Sequence, residues 1–175
     1  MLEARSAQAQ TAPGIRSRII ELFVNGERYE VAVKPRNSLV EVLREKIGLT
    51  GVKHGCEQGA CGVCTVLLDD RPVLGCLTLA VECDGKRVRT VEGLAQGDRL
   101  SPIQQAFLDQ GALQCGYCTA GMLMSATALL ERNPKPSVAE IKKALEGNIC
   151  RCTGYNAIVA AVQQASGQGV EPVMR

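Results

Sequence analysis

With 175 residues, 46% of them hydrophobic and 22% charged, the chain is long enough to bury a core without disulfide staples. Its formal net charge of +2 is too small to draw it to nucleic acid or an anionic membrane. Aromatic residues make up only 3%, against nine cysteines and a single histidine, which argues against a base-stacking platform and excludes any site built on several histidines.

An odd number of cysteines cannot pair completely within one chain. Residues 1–17, rich in Ala, Gln, Ser and Arg, lack a secretory signal and read as a mobile leader. No run approaches the roughly 18 apolar residues of a membrane span. The expectation is a cytoplasmic protein whose clustered thiols bind metal in a reducing compartment.

Two alternating runs, Ile20-Leu22-Val24 and Tyr29-Val31-Val33, flank Asn25-Gly26 and predict a hairpin, because both turn positions of its tight form need positive φ. Ser38 and Glu41 form a capping box, and Leu39, Val42, Leu43 and Ile47 make one helical face that stops at Gly48. Gly51–Gly62 has no periodicity and reads as a loop. Val66–Leu68 is a strand, turned by Asp69-Asp70-Arg71-Pro72 into a return strand at Val73-Leu74, and a further strand is expected at Arg87–Val91.

The second half changes character. Ser101, Pro102 and Gln104 mark a helix start, and the helix ends at Gly111. Residues 118–132 are apolar nearly all round, including Met122 and Met124, as in a helix buried on most sides. Ser137 and Glu140 cap a helix that closes at Gly147-Asn148, and a last helix runs from 156 to 165. The fold class is therefore α+β: a leader at 1–17, a strand-rich domain at 18–95, a helical domain at 96–166 built as a small bundle, and a frayed tail at 167–175.

Cys56, Cys61 and Cys64 have the spacing C-x4-C-x2-C of a plant-type [2Fe–2S] site, with a fourth ligand further on. Gly55, Gly59 and Gly62 allow the tight wrapping and the approach of backbone N–H groups that an anionic cluster needs. Cys76, at the end of the return strand, can fold back onto this loop and is the preferred fourth ligand. Cys83 is the remaining candidate and reads as a core thiol. A second set, Cys115, Cys118, Cys150 and Cys152, pairs C-x2-C with C-x-C ahead of two helix starts, where free N–H groups favour negative charge. Spacing alone leaves a structural zinc open for this set.

Three stretches together resemble a known family: Gly55–Val66 (GCEQGACGVCTV), Gln114–Thr119 (QCGYCT) and Gly147–Tyr155 (GNICRCTGY). They are similar to the iron–sulfur small subunits of the molybdenum hydroxylases, the superfamily of xanthine dehydrogenase, aldehyde oxidoreductase and aerobic carbon monoxide dehydrogenase. The resemblance covers about residues 18–165. It implies a β-grasp, plant-type ferredoxin domain followed by an all-α four-helix-bundle domain, each with one [2Fe–2S] cluster, and it argues against zinc.

It also implies an electron-transfer subunit with no substrate-binding catalytic site of its own. Electrons would come from a molybdenum–pterin in a large catalytic subunit to the cluster of Cys115, Cys118, Cys150 and Cys152. They would then reach the cluster of Cys56, Cys61, Cys64 and Cys76, and finally FAD on a medium subunit or another acceptor. Gln114 matches a glutamine that contacts the pterin. Ala120 stands where many members have proline, a change that an N-terminal helix position tolerates. A Rieske centre would need two histidines, so His54 is read as solvent-facing or loop-capping. The alternatives from other classes are a stand-alone two-cluster ferredoxin or redox adaptor, and a zinc-stabilised interaction module.

Overall fold

The computed structural model describes residues 17–170, so the leader lies outside the described residues except for Ser17, as does the tail beyond 170. Strand β1 (Arg18–Val24) alternates strictly: Ile20, Leu22 and Val24 are at most 1% exposed, while Ile19 on the other face is 68% exposed. It pairs antiparallel with β2 (Glu27–Val33) through the expected turn, with Asn25 at φ 52° and Gly26 at φ 90°.

β3 (Thr65–Leu68), β4 (Arg71–Leu74) and β5 (Lys86–Arg89) complete a mixed five-stranded sheet in the order β2-β1-β5-β3-β4. β1 and β5 are its parallel pair, and β3 is antiparallel to both β4 and β5. The turn between β3 and β4 is shorter than the sequence suggests. Asp69 and Asp70 alone form it, at φ 46° and 64°, so Arg71 and Pro72 already lie in β4. A proline is tolerated there because β4 is an edge strand, where a missing N–H breaks no interior ladder. β5 likewise ends at Arg89, and Val91 begins a 3-10 turn, Val91–Leu94.

The helix capped by Ser38 and Glu41 crosses one face of the sheet. The box forms as expected, with Ser38 N–H donating to Glu41 Oε2 at 2.7 Å and Glu41 N–H to Ser38 Oγ at 3.3 Å. Only α1 (Leu39–Glu41) is α-helical; Val42–Lys46 widens into a π turn, closed by Ile47 N–H donating to the Val42 carbonyl at 3.1 Å. Arg44 fixes the exit by donating to the Thr50 and Val52 carbonyls. Leu39, Val42 and Leu43 join Ile20, Leu22, Val24, Val33 and Val66 in the first core.

A second core is enclosed by α2 (Pro102–Asp109), α3 (Thr119–Arg132), α4 (Val138–Leu145) and α5 (Asn156–Ala165), around Phe107, Met122, Ile141 and Ile158. The two cores are joined by a small third one. β3 buries both faces: Val66 points into the first core, and Leu67 packs on Met124 and Ala128 of α3. Each such fully buried Leu or Met side chain contributes about 1.5–3 kcal/mol. Arg89 of β5 adds a two-pronged pair to Glu131 of α3, at 2.8 and 2.7 Å. α4 stops at Leu145, so Gly147 and Asn148 belong to the following loop. Just past α5, Gln168 Nε2 donates to the Pro136 carbonyl at 3.2 Å. Among the described residues no helix is long and apolar enough to cross a membrane.

Candidate metal centres

The first centre is a loop whose backbone enters the left-handed region at three points, two of them glycines. Glu57, Gly59 and Gly62 have φ values of 54°, 79° and 70°. The loop turns its N–H groups onto sulfur: Ala60 N–H donates to Cys56 Sγ at 3.2 Å, and Cys56 N–H to Cys61 Sγ at 3.4 Å. A backbone N–H at Gln58, then the Cys61 thiol, lower the Cys56 thiol to about 7. Cys64 differs because it immediately precedes β3 and is 2% exposed. Burial, with the neighbouring Cys76 and Cys61 sulfurs, pushes it up to about 11.

Cys76 reaches Cys64 because the return strand folds back, with Gly75 N–H donating to the Cys64 carbonyl at 3.1 Å. Cys56 thus neighbours Cys61, and Cys64 neighbours Cys76 and Cys61. Cys83 is not among them. It sits in the first core with its Sγ 3.5 Å from the Leu79 carbonyl, and burial raises it to about 11.

The second centre lies where two loops meet. Cys115 and Cys152 bring their sulfurs to 3.5 Å, and the Cys118 thiol is partnered by Cys150. Burial first, then Cys150, pushes Cys118 up to about 12. Burial also works against ionising Cys150, but hydrogen bonds from the hydroxyl and N–H of Thr153, 3.1 and 3.4 Å from its sulfur, together with those from the Cys152 N–H and the Cys118 thiol, outweigh it and lower that thiol. Cys118 caps α3 and Tyr155 caps α5, so both cysteine pairs do precede helix starts. Tyr155 holds a left-handed conformation, φ 69°, that costs a non-glycine residue roughly 1–2 kcal/mol. Its phenol oxygen accepts the Cys150 N–H at 2.8 Å, which fixes the backbone beside the sulfur.

The residues fit iron–sulfur clusters on three counts. Each donor set consists of thiols alone, the soft ligands such clusters take. At the first centre a side chain in place of Gly55 would put its Cβ 2.8 Å from Cys61 Sγ, so only glycine leaves the inner side of the loop open. At the second, the Thr119 hydroxyl is buried next in sequence to Cys118 with no partner among the described residues. A buried polar group without a partner is costly, and an anionic sulfur cluster would relieve it. His54 joins neither set; its Nδ1 lies 2.8 Å from Glu57 Oε1. Gln114 is exposed immediately before Cys115.

The two centres are stitched together by residues that spacing did not single out. Asn148, only 4% exposed, donates through Nδ2 to the Gly62 carbonyl at 2.8 Å and to Thr65 Oγ1 at 3.2 Å. Its Oδ1 accepts the Ser125 hydroxyl at 2.7 Å. Ile149 N–H donates to the Cys61 carbonyl at 2.9 Å, and the Tyr117 hydroxyl donates to the His54 carbonyl. Glycine-asparagine at 147–148 looks like a helix end, and nothing in its spacing reveals a partner 86 residues away. Apolar side chains border both centres: Leu77 is 61% exposed beside the first, and Ile149 and Tyr117 are 53% and 50% exposed beside the second.

Comparison with known proteins gives this arrangement its family. Residues 22–97 match the family described as a 2Fe-2S iron-sulfur cluster binding domain, and residues 90–163 match a [2Fe-2S] binding domain. The nicotine 6-hydroxylase small subunit of Paenarthrobacter nicotinovorans is 55% identical over 159 residues, 90% of this chain and 96% of that protein. The nicotinate dehydrogenase small FeS subunit of Eubacterium barkeri is 49% identical over 83% of this chain and 93% of its own length. Among solved structures, quinoline 2-oxidoreductase from Pseudomonas putida contains a chain that superposes with a TM-score of 0.82 at 46% identity, covering 89% of this chain and 99% of that one. The chain belongs to the iron–sulfur small subunits of the molybdenum hydroxylases, the two-cluster electron-transfer components of multi-subunit oxidoreductases.

Proposed function

We propose that Cys56, Cys61, Cys64 and Cys76 hold one [2Fe–2S] cluster within a β-grasp domain at 18–95. Cys115, Cys118, Cys150 and Cys152 hold the other within a four-helix domain at 96–166. The observation that supports the reading is the contact between thiols within each set, Cys64 with Cys76 and Cys61 in the first and Cys115 with Cys152 and Cys118 with Cys150 in the second, while the ninth, Cys83, is sealed in a core. All nine cysteines are free thiols, which suits a reducing, cytoplasmic location.

When bound, each cluster supplies a one-electron carrier, so that electrons from a molybdenum–pterin on a large partner subunit reach FAD on a medium subunit or another acceptor. The chain's own residues hold these carriers and tune them. The N–H groups of Cys56, Ala60 and Thr153 point at sulfur and stabilise its negative charge, which favours the reduced state. Tyr155 takes the Cys150 N–H for itself and keeps that donor off the sulfur. Exposed Gln114, beside exposed Cys115, is the pterin contact, and the apolar rim of Tyr117 and Ile149 meets the large subunit. The chain makes and breaks no substrate bond.

The test is purification of the native complex followed by single Cys→Ser replacements. Cys152→Ser is expected to remove one of two reduced-state EPR signals and to slow reduction by the large subunit. Cys61→Ser is expected to remove the other. A native chain that runs alone with neither molybdenum nor flavin contradicts the assignment to a complex.

A further inference from the structure

The buried amide of Asn148 lies two residues before Cys150 and bonds to Gly62, the residue after Cys61. It therefore ties the ligand-bearing segment of one centre to that of the other. Both of its N–H donors and its carbonyl oxygen are engaged, on three different elements: the first loop through Gly62, β3 through Thr65, and α3 through Ser125. Thr65 closes the pattern, its hydroxyl donating to the same Gly62 carbonyl at 2.7 Å.

The backbone around the amide is packed too closely for side chains. A Cβ at Gly62 would overlap the Gly147 carbonyl oxygen and come within 2.7 Å of Asn148 Nδ2. A Cβ at Gly121, on α3, would overlap the Gly62 carbonyl oxygen and stand 3.1 Å from Val63 Cα. Two glycines on different elements thus allow the approach, and one asparagine fixes it. Two backbone carbonyls of the first loop take further ties, from Ile149 N–H to Cys61 and from the Tyr117 hydroxyl to His54, but neither reaches β3 or α3 as the amide does; elsewhere Leu67 packs on Met124, and Arg89 pairs with Glu131.

We infer that Asn148 is a positioning residue that sets the separation of the two clusters and hence the rate of electron transfer between them. Tunnelling falls exponentially with distance, so a small slip between the two loops changes that rate while leaving each ligand set whole. The inference rests on the two-cluster reading above. A satisfied buried network of this kind rigidifies, whereas breaking one member leaves buried polar groups without partners.

The experiment uses the assembled complex carrying Asn148→Ala, Asn148→Asp, Ser125→Ala or Gly121→Ala. Three quantities are read: iron content, the midpoint potential of each cluster, and the magnetic splitting between the two clusters in the fully reduced state by EPR. Pulsed reduction then gives the rate of electron redistribution between them. Asn148→Asp keeps the acceptor for Ser125 but loses both donors, whereas Ser125→Ala keeps both donors. Asn148→Ala and Asn148→Asp are expected to retain iron and both signals, to lose the splitting, and to redistribute electrons several-fold more slowly. Gly121→Ala, which pushes the first loop off α3, is expected to behave like them, and Ser125→Ala like the parent.

Unchanged splitting and rate in Asn148→Ala overturn the inference. So does loss of iron in all of the Asn148 and Gly121 variants, which would make the residue one of folding alone. Absence of two signals in the parent protein would instead overturn the two-cluster reading itself.

Discussion

The backbone N–H of Ile149 donates to the carbonyl of Cys61 at 2.9 Å, so one hydrogen bond separates a residue of the first thiol set from the neighbour of Cys150 in the second. The Ile149 side chain points the other way and is 53% exposed. Backbone and side chain of one residue therefore serve different ends: the first joins the two centres inside the chain, and the second forms part of its apolar rim.

Ile149→Ser separates them. The N–H is kept, so iron content, both EPR signals and their splitting are expected to match the parent. Association with the large subunit is expected to weaken, because a large exposed apolar side chain is lost from the contact. Titration calorimetry or native gel analysis of the reconstituted complex measures this. An unchanged affinity would place the contact elsewhere.

Cys76 and Cys83 are seven residues apart and chemically alike, but their surroundings differ. Cys76 stands with Cys64 and Cys61, and Cys83 is fully buried among Ile20, Leu22 and Ala80. Cys76→Ala is expected to lose the iron of one cluster. Cys83→Ala is expected to keep all the iron and to lower stability by about 1–3 kcal/mol through the core defect. Iron analysis beside thermal unfolding distinguishes the two, and the reverse pattern would exchange their roles.

Gly62 and Gly116 both adopt positive φ, 70° and 78°, but only the first is crowded. A Cβ at Gly116 meets nothing within 4 Å, so Gly116→Ala is expected to cost about 1 kcal/mol of backbone strain and to keep both clusters. Gly62→Ala adds an overlap with Gly147 and Asn148 to the same strain. It is expected to disrupt cluster incorporation, which visible absorbance reports directly.

The sequence already carries much of this architecture where a local rule suffices. Asn25-Gly26 requires its hairpin, the Ser38/Glu41 and Ser137/Glu140 boxes fix two helix starts, and cysteine spacing separates the two thiol sets. Rules of this kind fail where tertiary contacts decide. The π turn at Val42–Lys46 accompanies Arg44 reaching the Thr50 and Val52 carbonyls, and Pro72 enters a strand only because that strand is an edge. Spacing does not reveal Asn148 and Thr119 as functional residues for the same reason: one has its partners far along the chain, and the other has none among the described residues.

The Arg89–Glu131 pair makes a pH prediction. The Arg89 guanidinium hydrogen-bonds the Glu131 carboxylate and holds it below the ordinary carboxylate range. A depressed folded-state value means the contribution is fully present above the unfolded value of about 4.3 and is lost as pH falls through the folded one. The side chains are 32% and 45% exposed, so solvent screening limits the coupling to about 1 kcal/mol or less. A double-mutant cycle of Arg89→Met and Glu131→Gln is expected to show that coupling at pH 7 and a smaller one at pH 3. Equal coupling at both values would contradict the pairing.

Iron and acid-labile sulfide analysis of the native protein, combined with a redox titration followed by EPR, bears most directly on the two thiol sets. About four irons and about four sulfides per chain are expected, with two distinct signals that appear on reduction. Colourless, zinc-containing protein, or a single signal with half the iron, would contradict it.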